Sequence, residues 1–84
     1  MLERKEILAK LKDIILMMDP TKKDIIDTIN EDTRLIEDLG LASVSMLYMV
    51  VAIEETFKIE FDNLSVEDFK TVKDTINYIE EKLS

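Results

Sequence analysis

Few residues in this chain have chemistry to offer, and Ser43 holds the most informative position. It follows Gly40-Leu41-Ala42 and opens an apolar run, Val44 to Ile53, broken only by Ser45. A serine there is a good N-cap for the helix behind it. Gly40, the one glycine, supplies the only residue that takes positive φ cheaply. As a nucleophile Ser43 lacks help: the sequence has no His, no Cys and no convincing Lys base. Asp62, Asn63, Glu67 and Asp68 have the residue types for a divalent cation. They lack the Gly-containing EF-hand spacing and read as solvated acids with no dedicated metal site. The missing Cys and His also exclude a zinc finger, a thiol nucleophile and a disulfide scaffold. A single glycine excludes a Gly-rich phosphate loop.

The elements that must position Ser43 follow from length and periodicity. A chain of 84 residues buries roughly 60–65% of its unfolded surface. That supports one domain, residues 1–84, whose core must be helical and well packed without a staple. Apolar residues at Ile7, Leu8, Leu11, Ile14, Ile15 and Met18 mark one face of a first helix, stopped by Asp19-Pro20. Residues 20–42 read mostly as a connection. Ile25, Ile26, Ile29, Leu35, Ile36 and Leu39 suggest that it packs across the bundle, and a loop of this length tends to be functional. A second helix is predicted from Ser43 to about Phe57. Ser65-Val-Glu-Asp68 resembles a capping box opening a one-turn helix to about Phe69, and Thr71-Val-Lys-Asp74 repeats the signal for a last helix through Leu83. No strand is convincing. The expected fold is all-α: a small four-helix bundle of three longer helices and one short helix, with a long first loop.

The formal net charge is −8, from 11 Lys+Arg against 19 Asp+Glu. Residues 1–19 cancel internally, so the whole excess lies in 20–84. Such acidity argues against a nucleic-acid partner. The run from Val44 to Ile53 is far short of the ~20 residues of a membrane span. No signal peptide is visible, so a cytoplasmic, monomeric protein is expected.

The second helix is apolar on two sides. Met46, Val50, Ile53 and Phe57 share one face, with Met49 beside it. Val44, Tyr48 and Val51 start about 200° away round the helix. The second stripe is either buried centrally or a surface for partner proteins. Glu54 and Glu55 close the helix with charge that opposes its macrodipole.

The segment Glu37-Asp-Leu-Gly-Leu-Ala-Ser-Val-Ser-Met-Leu47, followed by Ala52-Ile-Glu-Glu-Thr-Phe57 and by Phe69-Lys-Thr-Val-Lys-Asp-Thr-Ile-Asn-Tyr-Ile79, resembles the acyl carrier protein family over nearly the whole chain. The resemblance implies a function that is not enzymatic. Ser43 would be esterified by a phosphopantetheinyl transferase with 4′-phosphopantetheine from coenzyme A. The arm's thiol would hold an acyl or aminoacyl cargo as a thioester for partner synthases. Leu41, Val44, Ser45, Tyr48, Val51, Glu54 and Glu55 would dock those partners. Met46, Met49, Val50 and Ile53 would line any space for the cargo.

The chain departs from the family's pattern where charge matters. Many members have Asp just before the modified Ser, and this chain has Ala42. Fatty-acid carriers usually place acids two and five residues after it, and here those positions are Ser45 and Tyr48. Charge steers encounter, whereas buried aromatic contacts hold a complex. The expectation is a carrier serving a specialised pathway, polyketide, nonribosomal-peptide-like or aminoacyl, more than general fatty-acid synthesis. A helical adaptor without any prosthetic group shares every feature except use of Ser43.

Overall fold

The computed structural model describes residues 2–61 and 69–84. Three α-helices carry the architecture: α1 (Arg4–Met18), α2 (Ser43–Phe57) and α3 (Val72–Leu83). α1 buries Ile7, Leu11, Ile14 and Ile15, the stripe that its 3–4 spacing predicts. It ends where Asp19 becomes extended (φ −147°, ψ 92°) ahead of Pro20. The Asp19 carboxylate then accepts from the Thr21 N–H at 3.1 Å and turns the chain into two short 3-10 helices, Pro20–Asp24 and Ile26–Thr28.

The long connection is stitched down. Ile29, Leu35, Leu39 and Leu41 are buried in the core. The Leu35 N–H donates to the Lys70 carbonyl at 2.9 Å, and the Val72 N–H donates to the Thr33 carbonyl at 2.9 Å. The Lys73 N–H donates to the Glu31 carbonyl at 2.8 Å. These bonds leave one isolated antiparallel bridge, Arg34 with Thr71, and no strand among the described residues. Arg4 adds a polar clasp: its guanidinium pairs with Glu31 of the connection and Glu80 of α3, and donates to Asn77 Oδ1 at 2.8 Å.

α3 opens on a capping box. Thr71 Oγ1 accepts from the Asp74 N–H at 3.2 Å, and the Asp74 carboxylate accepts from the Thr71 and Lys70 N–H groups, both at 3.0 Å. Val72, Thr75, Ile76 and Ile79 face inward from it. α1 packs against both α2 and α3. Their shared core includes Ile7, Ile15, Met46, Met49, Ile53, Ile76 and Ile79, all nearly inaccessible.

The all-α class therefore holds. The short helix expected at about 65–69 falls mainly on residues outside those described, as does the acidic group Asp62, Asn63, Glu67 and Asp68. Phe69, its last residue, is buried and not helical.

Candidate functional site

The site begins with an alternation that the periodicity of α2 does not reach. Leu39 and Leu41 are buried, while Gly40 between them is exposed at φ +68°. The Gly40 N–H donates to the Ile36 carbonyl at 2.9 Å, and the Leu41 N–H donates to the Leu35 carbonyl at 3.2 Å. A Cβ on Gly40 would meet nothing within 4 Å, so its backbone angle, not space, calls for glycine. With two leucines anchored, Ala42, Ser43 and Val44 emerge at the surface.

Here two sequence expectations need correction. Leu41, a proposed docking residue, is only 5% exposed. It anchors the turn in the core and presents no side chain to a partner. Ser43 is not the N-cap but the first residue of α2. Ala42 (φ −81°, ψ 165°) fills the cap position, where its methyl accepts nothing. The Met46 N–H is the first to find a helical acceptor, the Ala42 carbonyl at 3.0 Å. The N–H groups of Ser43, Val44 and Ser45 thus stand at an uncapped end with no acid in the first turn. An exposed serine among uncapped amides suits a phosphate ester, whose charge these groups and the helix dipole favour.

Charge around the site is more neutral than the acid count implies. Asp38 accepts from the Arg34 N–H at 2.8 Å and from its guanidinium at 3.1 Å, and Glu37 pairs with the same guanidinium. Hydrogen bonds from that guanidinium, then from the Arg34 amide, hold the Asp38 carboxyl below its ordinary range. Glu54 turns to accept the Phe61 N–H at 2.9 Å, helping close the C-terminus of α2, where Lys58 is left-handed (φ 58°). Of the four acids flanking the helix, Glu55 is the exposed one with no such commitment.

The outer face of α2 is accessible rather than centrally buried. Val44 is 62% exposed, Tyr48 69% and Val51 53%. Leu47, 54% exposed, joins them. Sequence reading missed it, although 44, 47, 48 and 51 follow helical spacing. Ser45 is half-buried. Met46, Met49 and Ile53 are core residues, and Val50 beside them is half-buried. Between α1 and α2 lies an open groove of about 560 Å³, walled by Ile14, Met17 and Met18 on one side and by Val44, Tyr48 and Ala52 on the other. Of the α1 wall, the sequence marked Ile14 and Met18 only as core-facing residues and did not mark Met17, which lies off that helix's buried stripe and is 84% exposed.

Residues 9–79 match the family described as phosphopantetheine attachment site. The chain is 40% identical over 81 residues to a protein named acyl carrier protein from Aster yellows witches'-broom phytoplasma, covering 93% of this chain and 99% of that one. A Thermotoga maritima protein of the same name is 35% identical over 86 aligned positions, 99% of each chain. The chain belongs to the acyl carrier protein family. It is a carrier, not an enzyme, and its prosthetic group is covalently bound 4′-phosphopantetheine. The carrier has no helix, among its described residues, long and apolar enough to cross a membrane. Nor do three or more acids of those residues converge as a metal site would need.

Proposed function

We propose that Ser43 is the attachment residue and that the carrier, as one domain, presents its cargo through α2 to enzymes of a specialised biosynthetic pathway. The observation that carries the reading is the exposed Ser43 at the uncapped N-terminus of α2. A phosphopantetheinyl transferase would supply the base that accepts the Ser43 proton, since the chain has no His or Cys. The Val44 and Ser45 amides then lie where a phosphodiester's charge develops. When bound, the arm supplies a thiol that holds an acyl or aminoacyl group as a thioester.

Partners would meet Val44, Leu47, Tyr48 and Val51, with Glu55 at the edge. An apolar centre with one exposed acid favours enzymes chosen by surface fit over enzymes chosen by charge alone. That supports a dedicated synthase set, and a transferase that tolerates Ala42.

Intact mass tests the attachment. Incubation with coenzyme A and a broad-specificity transferase should add one phosphopantetheine to the wild type and none to Ser43→Ala. A Ser43→Ala chain that still gains the arm defeats the assignment. A wild type unmodified by several transferases, that of its genomic neighbourhood included, would leave the adaptor reading.

A further inference from the structure

Ahead of Ser43 the chain closes a turn of its own. The Asp38 and Leu39 N–H groups both donate to the Arg34 carbonyl, at 3.0 and 3.2 Å. The Gly40 N–H donates to Ile36 and the Leu41 N–H to Leu35. The amides of residues 38–41 thus all point back into residues 34–36. A carboxylate fastens the other end: Asp38 Oδ2 accepts the Arg34 N–H at 2.8 Å. Arg34 is therefore held by Asp38 at both its N–H and its carbonyl. Its guanidinium adds Nη2 to Oδ1 at 3.1 Å and Nε to Oδ2 at 3.4 Å.

The closed turn is tied on both sides. Upstream, the Leu35 N–H donates to the Lys70 carbonyl, and Arg34 bridges Thr71 at the start of α3. Downstream, Leu39 and Leu41 are buried, and Ser43 follows Leu41 by two residues. Gly40 brings no side chain to hold the segment, and nothing lies within 4 Å of where its Cβ would be. Main-chain bonds of this turn therefore carry the register from the core out to Ser43. Asp38 is also ill placed to meet a partner. Both its oxygens are engaged by Arg34, whereas Glu37 beside it pairs with the same guanidinium and closes no turn.

We infer that Asp38 is a positioning residue for the loading of Ser43: it closes the 34–41 turn onto the Arg34 amide, holds the serine in place for the transferase, and does not itself dock that enzyme. This rests on Ser43 carrying the arm. Loading joins the Ser43 oxygen to the pantetheine-side phosphorus of coenzyme A. The bond from that phosphorus to the bridging oxygen breaks, adenosine bisphosphate leaves with that oxygen, and the Ser43 proton passes to a base of the transferase. Misplacing a reacting atom by about 1 Å can cost about 10²-fold in rate. A loosened turn therefore lowers kcat, whereas a lost docking acid slows encounter, raises KM and does so most at low salt.

Kinetics of loading by a broad-specificity transferase with coenzyme A, followed by intact mass across carrier concentrations and a salt series, separate the two. Asp38→Ala should lower kcat about tenfold or more, at every salt concentration, with KM little changed. Asp38→Asn, whose amide oxygen still accepts the Arg34 N–H, should keep most of the wild-type kcat. Glu37→Gln removes the same charge one residue away and should load like the wild type. Amide exchange should quicken at Leu39, Gly40 and Leu41 in Asp38→Ala and stay slow at Ile7 and Ile76. Should Asp38→Ala fail to fold, Asp38→Asn decides alone: a kept kcat and KM support the positioning role. A salt-dependent rise in KM in Asp38→Asn, or an Asp38→Ala chain that loads at the wild-type rate, overturns it and leaves the attachment reading intact. A wild type that fails to load, or loading on Ser43→Ala, counts against the attachment reading instead.

Discussion

Ala42 occupies the one position where a small polar side chain would satisfy the open end of α2. An oxygen at the cap accepts from the second or third helical amide, here Val44 or Ser45, and such caps contribute about 0.5–2 kcal/mol over alanine. Ala42→Asp should therefore raise stability by about 1 kcal/mol, read as a higher denaturation midpoint at unchanged slope. The introduced carboxylate would occupy amides that the phosphodiester otherwise uses and would place a charge next to it. The stabilising effect of Ala42→Asp should thus be smaller on the modified carrier than on the unmodified one. An equal gain in both forms would show that the phosphate does not share those amides. Alanine at the cap sacrifices local stability beside the reactive serine, a pattern expected at functional positions.

The helices were legible because each buries a stripe at helical spacing, and α3 because Thr71 and Asp74 announce its start. Asp74 also makes that cap pH-dependent. Its burial alone would raise its carboxyl, but the Thr71 and Lys70 amides and the Thr71 hydroxyl outweigh burial and lower it. Glu31 is lowered by the hydrogen bond from the Arg4 guanidinium, more than burial raises it. A lowered carboxyl contributes its full stability above the unfolded range, about 4, and loses it as pH falls through the folded value. The melting temperature should stay level near neutrality and drop below about pH 4. Asp74→Asn should lower the neutral plateau and flatten part of the acid limb. An acid limb unchanged by Asp74→Asn would refute the cap's share. What the sequence withheld at this scale is non-local. Leu41 is buried because the connection is bonded to the start of α3, through partners far apart along the chain. The start of α2 differs from expectation by one residue, since serine chemistry alone does not distinguish a cap from a first helical position. Leu47 sits in the same apolar run as its neighbours, and only the packing of α1 decides which side of α2 faces out.

The charge of −8 sets up a long-range field, yet salt screens it beyond about 8–10 Å near physiological ionic strength. Ahead of α2, Arg34 holds Glu37 and Asp38, and at the far end of the helix Glu54 is turned to a backbone amide. An approaching enzyme thus feels a weak general pull and then meets an apolar surface. Tyr48→Glu separates these two contributions. At low salt the added acid should speed loading by a broad-specificity transferase with a basic surface, and the gain should vanish as salt rises. The same change should weaken association with the carrier's own synthases about tenfold or more, because an aromatic anchor worth over 1 kcal/mol is lost from the centre of the patch. Loading rates and synthase affinity, measured across a salt series, should therefore move in opposite directions. If both rise together at low salt, charge governs every partner and the apolar face of α2 has no part in choosing among them.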